Sequence, residues 1–258
     1  MTPNRTSMGL MNQVTDAETT DSNWKSLYKV GGAAALIAVL VGLIEIIITF
    51  LPGGGMSSGT VTVIDWFTLF QNNWFLGLRN LGLLNIVLTA LEIPIFFALY
   101  AVHWRANKAY AALAMIISFV GVAVFFATNR AFPMLELSGQ YAVATTDAQR
   151  SMLAAAGQAM LSVGNSHTPG TFMGFLLSEF AGIVISIVML RSKVFSKATA
   201  YAGILGFGLL LIFEVCSSFV PAFDLAIIFA MGGGLLSMAW YILVARRLFQ
   251  LGLGASKE

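Results

Sequence analysis

Charge is what this sequence has least of. Asp, Glu, Lys and Arg make up 10% of its 258 residues, whereas a soluble domain carries about 25%. That excludes an ordinary soluble enzyme and a disordered tail. The net charge is +2, too little for a nucleic-acid binder, which needs a strongly basic face. The single cysteine, Cys216, excludes an internal disulfide framework and any multi-cysteine zinc or iron–sulfur site. The two histidines, His103 and His167, fall at opposite ends of the apolar runs, so they cannot share one haem or one metal ion. His103 is expected at a membrane interface and His167 in a solvated loop. The chain also lacks a Gly-rich phosphate loop, a His-Glu-x-x-His pair and a Gly-x-Ser-x-Gly elbow. P-loop ATPases, zincin proteases and Ser hydrolases are thereby excluded. Every Lys lies in a tail, a loop or at a run's end, so none offers a mid-membrane Schiff base. No cofactor, no metal and no nucleophile are expected, and an enzyme is the weaker expectation.

What the sequence has is apolar length. Hydrophobic residues make up 58%, and the mean hydropathy is +0.83. A bilayer core of ~30 Å needs about 20 apolar residues as helix. Six runs qualify, at 28–51, 78–102, 109–129, 170–190, 199–220 and 225–245. Pro94 interrupts the second, which a membrane helix tolerates when neighbours satisfy the freed carbonyl. The expectation is an all-α polytopic membrane protein whose immediate partner is the lipid bilayer. Its domains read as a flexible cytoplasmic tail (1–26), a six-span membrane domain (27–248) and a second cytoplasmic tail (249–258). The polar N-terminal stretch does not resemble a cleaved signal peptide, so the first span is expected to act as its own insertion signal.

The basic residues set the orientation. With the N-terminus inside, eleven lie on the inner side: Arg5, Lys25, Lys29, Arg105, Lys108, Arg191, Lys193, Lys197, Arg246, Arg247 and Lys257. Only Arg79, Arg130 and Arg150 lie outside. That is the asymmetry of the positive-inside rule. Two long outer connections are expected to form a cap. Residues 52–77 start with a Gly-rich turn (Gly53, Gly54, Gly55) and continue as an interfacial segment anchored by Trp66 and Trp74. Residues 131–169 hold a capping box, Thr146-Asp147-Ala148-Gln149. It opens an amphipathic helix to about Val163, with Met152, Leu153, Ala156, Met160 and Leu161 on the covered face. Asn165 to Gly170 ends it.

Several longer words resemble a known family. They include Asp65-Trp66-Phe67 with Phe70-Gln71 and Leu76-Gly77-Leu78, and Leu137-Ser138 with Ala144-Thr145-Thr146-Asp147-Ala148-Gln149-Arg150. Ala154-Ala155-Ala156-Gly157-Gln158-Ala159 and Val188-Met189-Leu190-Arg191-Ser192 with Phe195-Ser196-Lys197-Ala198-Thr199-Ala200-Tyr201 complete the set. Over residues 28–245 they resemble the bacterial multi-pass membrane family catalogued as domain of unknown function 4386. The resemblance implies a bacterial inner-membrane protein of no established activity; it is the basic asymmetry that puts both termini on the cytoplasmic side. It implies no catalytic residues.

The informative feature is acid inside apolar runs. Glu45, Glu92, Glu179 and Glu214 lie within four of the six. A mid-bilayer charge costs at least ~2.5–3.5 kcal/mol on insertion scales. At 1.5 Å per residue, Glu45 and Glu214 sit roughly 22–24 Å from the inner side. Glu179 sits roughly 14 Å below the outer surface and Glu92 roughly 20 Å below it. Arg79, Arg130 and Asp224 mark outer helix ends. Gly82, Asn85, Thr89 and Glu92 share one helix face. Glu214, Ser217 and Ser218 share another. Gly174, Ser178, Gly182 and Ser186 form a small-xxx-small ladder for close helix packing, as do Ala34, Ala38 and Gly42.

Two readings follow. In one, Glu45, Asn85, Thr89, Glu92, Glu179 and Glu214, with Arg79 and Arg130, line an outward-facing cavity for a small cation or an amphiphile's head. In the other, the same groups tie helices together in a structural or accessory subunit, packed into a homo-oligomer or a larger membrane complex.

Overall fold

The computed structural model describes the backbone of residues 5–50, 62–163, 169–220 and 226–254. Side chains are described over 24–48, 62–163, 172–220 and 226–254. The Gly53–Gly55 turn, the helix end at Asn165, His167 and Asp224 lie outside the described residues.

Among the described residues every regular element is an α-helix. In chain order they are α1 (Arg5–Phe50), α2 (Val63–Asn72), α3 (Trp74–Asn80), α4 (Leu83–Thr128) and α5 (Ala131–Val143). Then come α6 (Asp147–Val163), α7 (Pro169–Arg191), α8 (Lys197–Phe219) and α9 (Ala226–Leu253). Five stretches are long and apolar enough to cross a membrane: Trp24–Ile48, Leu83–Val143, Phe172–Arg191, Lys197–Phe219 and Ala226–Leu253. The chain is therefore an all-helical protein with the helices of a multi-pass membrane protein.

α4 is two helices in one. Asn107 has non-helical backbone angles, φ −159° and ψ 73°, and its Oδ1 accepts from the Tyr110 N–H at 3.5 Å, opening the second arm. The arms fold back on each other. Ser118 donates to Glu92 across 26 residues, and a Cβ on Gly82 would lie 3.4 Å from Asn129 Nδ2. The long helices then close a ring. α1 packs on α4 and α9, α4 on α7, α7 on α8, and α8 on α9. Small residues set the closest approaches. Gly31 meets Ala98 and Leu248, Gly121 meets Gly174, and Gly206 meets the backbone at Ser237. In lipid, where apolar helices gain little by leaving the solvent, such close backbone packing supplies much of the association. Trp240, Phe96, Ile95, Leu99, Ile185 and Leu248 fill the middle of the ring, each nearly or wholly buried.

A second, smaller apolar cluster joins α2, α3, α5 and α6. Val63, Phe67, Phe70, Leu78, Leu81, Ala131, Met134 and Leu161 are its buried members. α2 starts with a full capping box, Thr62 and Asp65 satisfying each other's backbone N–H. These bonds from Thr62 hold the Asp65 carboxyl below its ordinary pKa.

Several expectations are corrected. The stretch expected as a loose tail is helical from Arg5 into the first apolar run; Pro3 and Pro52 bracket it, and no proline lies between them. At the other end, α9 runs on to Leu253, so the expected second tail begins as helix. The second apolar helix begins at Leu83 rather than 78, because Gly82 takes a left-handed φ of 98° and separates α3 from α4. Residues 131–143 are helical as well. On α6 the expected face is covered at Leu153, Ala156, Met160 and Leu161, whereas Met152 is exposed and Gly157 joins the buried residues. A Cβ at 157 would lie 2.6 Å from Val63 and 2.7 Å from Phe67, so only glycine lets α6 approach α2 there. The Thr146 box does form, with Gln149 N–H donating to Thr146 Oγ1 at 3.2 Å.

Candidate carboxylate site

The four membrane-run glutamates fall into two environments. Glu45 pairs with Arg79, Oε1 to Nη2 at 3.1 Å. The same Nη2 donates to the Glu45 carbonyl at 3.1 Å, and Nη1 donates to Asn80 Oδ1 at 2.9 Å. Arg79 is buried, 5% exposed. This pair clips the end of α1 to the short α3. Glu45 is thus held by Arg79 through Oε1, away from the other three.

Glu179 links the remaining two, Glu92 and Glu214, each within electrostatic reach of it. Glu92 Oε2 accepts from Ser118 Oγ at 3.0 Å and from Ser178 Oγ at 2.9 Å. Both arms of α4 and α7 thereby meet at one oxygen. Glu179, the next residue on α7, is 8% exposed. It lies within electrostatic reach of Glu214 on α8 and of Glu92, and among the described residues its buried Oε2 has no hydrogen-bond partner. Tyr241 on α9 is also within electrostatic reach of Glu92. Buried polar atoms in folded proteins nearly always have partners, so an orphan carboxylate oxygen calls for a proton, a water or an ion beside it.

The layers on either side define access. One turn along α7 from Ser178 is Gly182, where a Cβ would lie 2.5 Å from the Phe207 ring. Phe207 meets Trp240 edge-on at 5.0 Å and Tyr241 at 6.2 Å. These rings close the interior between the carboxylates and the Arg191–Arg247 end. One further turn on, Ser186 Oγ and Trp240 Nε1 flank Gly203. Towards the opposite end, Phe125 and Phe175 touch at 5.1 Å. Beyond them a cleft of about 140 Å³ opens between the two arms of α4 and α7. Asn80, Asn85, Thr128, Asn129 and Arg130 give it a polar lining. Arg130 Nη1 is tied to the Leu161 carbonyl.

The other candidate residues are placed as follows. Asn85 and Arg130 lie in that cleft. Thr89 is buried on the first arm of α4, between the cleft and Glu92. The ladder is interior along its length: Gly174 lies on Phe125, Ser178 on Glu92, Gly182 on Phe207 and Ser186 beside Trp240. His103 is turned into the protein. It is fully buried, its Nδ1 on the Leu99 carbonyl at 2.8 Å and its Nε2 on Ser192 Oγ at 3.1 Å. Phe195 stacks on its ring at 5.4 Å, so His103 fastens the loop after α7 to α4. Sequence reasoning missed Ser118 and Tyr241. Ser118 had a signal, as an isolated hydroxyl in the apolar run 109–129. Among the described residues no group of three His, Cys, Asp or Glu is arranged to hold a metal ion. Compared with protein-family models, curated proteins and solved structures, the chain matches none.

Proposed function

We propose that this is a six-span bacterial inner-membrane protein. In this reading it binds a small cation, bare or as the head of a cationic amphiphile, at Glu92, Glu179 and Glu214. The observation that carries the reading is the buried Glu179 oxygen without a partner, with two further carboxylates in reach. A purely structural set of glutamates pairs with cations or hydroxyls, as Glu45 does with Arg79. Here two hydroxyls meet the Glu92 carboxylate, while among the described residues Glu179 Oε2 has no partner. The missing positive charge is what a cationic ligand supplies.

The surroundings agree with access from one side. The Phe207, Trp240 and Tyr241 rings separate the carboxylates from the basic end, and the polar cleft lies towards the Arg79–Arg130 end. The basic asymmetry puts the latter end outside. The two arms of α4 count as separate crossings, which gives six, and α2, α3, α5 and α6 then form an outer cap. The resemblance to the 4386 family adds the bacterial setting.

The test is thermal melting in detergent with sodium, potassium or dodecyltrimethylammonium chloride at matched ionic strength. At least one of them is expected to raise the melting temperature of the parent by several degrees. E92Q, E179Q and E214Q keep the shape of the carboxylate and lose the rise, while E136Q on exposed α5 keeps it. Equal rises in all four variants, or none in the parent, overturn the reading. The accessory-subunit reading would then stand.

A further inference from the structure

The bundle's other end carries a second site, of opposite sign. α8 begins and α9 ends side by side there, and a pocket of about 200 Å³ lies between them. That is the room of roughly six waters. Val194 and Leu243 contribute apolar wall; Ser196, Thr199, Arg246 and Arg247 contribute donors.

The two arginines differ in how they are held. Arg247 Nε donates to the Val194 carbonyl at 2.8 Å and its Nη1 to Gln250 Oε1 at 3.2 Å. Both partners are neutral, so the guanidinium is positioned and its charge is not cancelled. Arg246 makes no hydrogen bond or ion pair among the described residues. No Asp or Glu occurs in 180–213 or in 225–257, so neither the start of α8 nor α9 itself supplies a counter-charge. Ser196 and Thr199 share a hydroxyl contact at 2.9 Å, and the Ser196 hydroxyl caps α8 by accepting from the Thr199 N–H. Beside the pocket the helix surfaces turn apolar, with Tyr201, Leu205 and Ile242 exposed.

We propose that this pocket holds the phosphate of an anionic phospholipid, its acyl chains lying along α8 and α9. Two guanidiniums without carboxylates match a phosphodiester, and basic pockets between membrane helices on the inner side are suited to anionic head groups. A zwitterionic head would bring an ammonium group that no carboxylate in the pocket lining receives. The site stands apart from the three carboxylates, and E179Q keeps it.

Melting of the purified protein in mixed micelles tests this. Phosphatidylglycerol is expected to raise the melting temperature by several degrees; phosphatidylcholine and inorganic phosphate each give less than half that rise. R246Q, which removes no internal bond, loses the phosphatidylglycerol rise while melting like the parent without lipid. R105Q, an exposed arginine removed from the same end, retains it. Three results would each overturn the proposal. One is an equal rise with phosphatidylcholine, and another an equal rise with inorganic phosphate alone, which makes this a soluble-anion site. The third is equal loss in R105Q, which makes the effect one of general charge. Should R246Q prove unstable, R246K keeps the charge without the fork. It is expected to weaken the rise without abolishing it, and a rise undiminished in R246K counts against the site.

Discussion

Glu45 and Glu179 have the same side chain in apolar helices, yet they do different things because of what the neighbouring helix brings. Arg79 reaches Glu45 and is itself buried. Removing the carboxylate charge in E45Q strands that guanidinium. Stability in chemical denaturation is expected to fall by about 2–3 kcal/mol, at or below the lower end for buried pairs because Glu45 keeps some exposure. An E45Q variant as stable as the parent would show that the clip between α1 and α3 contributes nothing. Asp65 gives a prediction about pH. Its carboxyl is held below its ordinary range by Thr62, so its contribution is present above the unfolded-state pKa of about 3.9 and is lost as pH falls through the lower folded value. D65N should therefore be less stable than the parent at neutral pH, with the gap closing in acid. A gap that stays constant down to pH ~3 contradicts the capping account. The acids themselves were legible in the sequence, since carboxylates in apolar runs stand out. Their grouping was not, because helical spacing gives a face but not that face's rotation towards its neighbours. Of the four acids expected together, Glu45 therefore stands apart, paired with Arg79. The burial of His103 was not legible for a related reason: its partner Ser192 lies 89 residues away, beyond any local pattern.

Among the elements, the long helices are readable because twenty apolar residues leave a backbone one way to satisfy itself in lipid. The short ones are less so. α5 carries buried Ala131, Met134 and Ser138, with Tyr141 half-covered, at spacings of three and four. That is a helical face diluted by Gly139, Gln140 and Thr-rich neighbours. Glycines decide how closely the elements meet. A methyl at Gly182 would overlap the Phe207 ring, whereas at Gly208 it would meet nothing. G182A is expected to cost about 1–3 kcal/mol through overpacking. G208A is expected to be neutral or to gain up to about 1 kcal/mol through helix propensity. Melting both variants in the same detergent checks this, and a G182A variant no less stable than G208A would mean that α7 and α8 do not pack as described.

At the scale of the whole molecule, the ring α1–α4–α7–α8–α9 gathers polar groups from α4, α7, α8 and α9 at one level and basic residues at one end. The gathering follows from the fold-back at Asn107, which sets Ser118 against Glu92. The sequence shows two apolar runs there but not which of their faces meet. Orientation is tested by cysteine labelling in a C216S background. Ser151 and Ser196 are both exposed and lie towards opposite ends. S151C is expected to react with an impermeant maleimide in intact cells, and S196C only after permeabilisation. The reverse pattern would place the polar cleft on the cytoplasmic face. The claim on which the functional account rests is that a cation binds at Glu179, and calorimetric titration measures it most directly. The cation selected by the melting series is titrated into parent protein and into E179Q. The account predicts a saturable isotherm with one site per chain in the parent and no heat of binding in E179Q. Indistinguishable isotherms for the two proteins would contradict it.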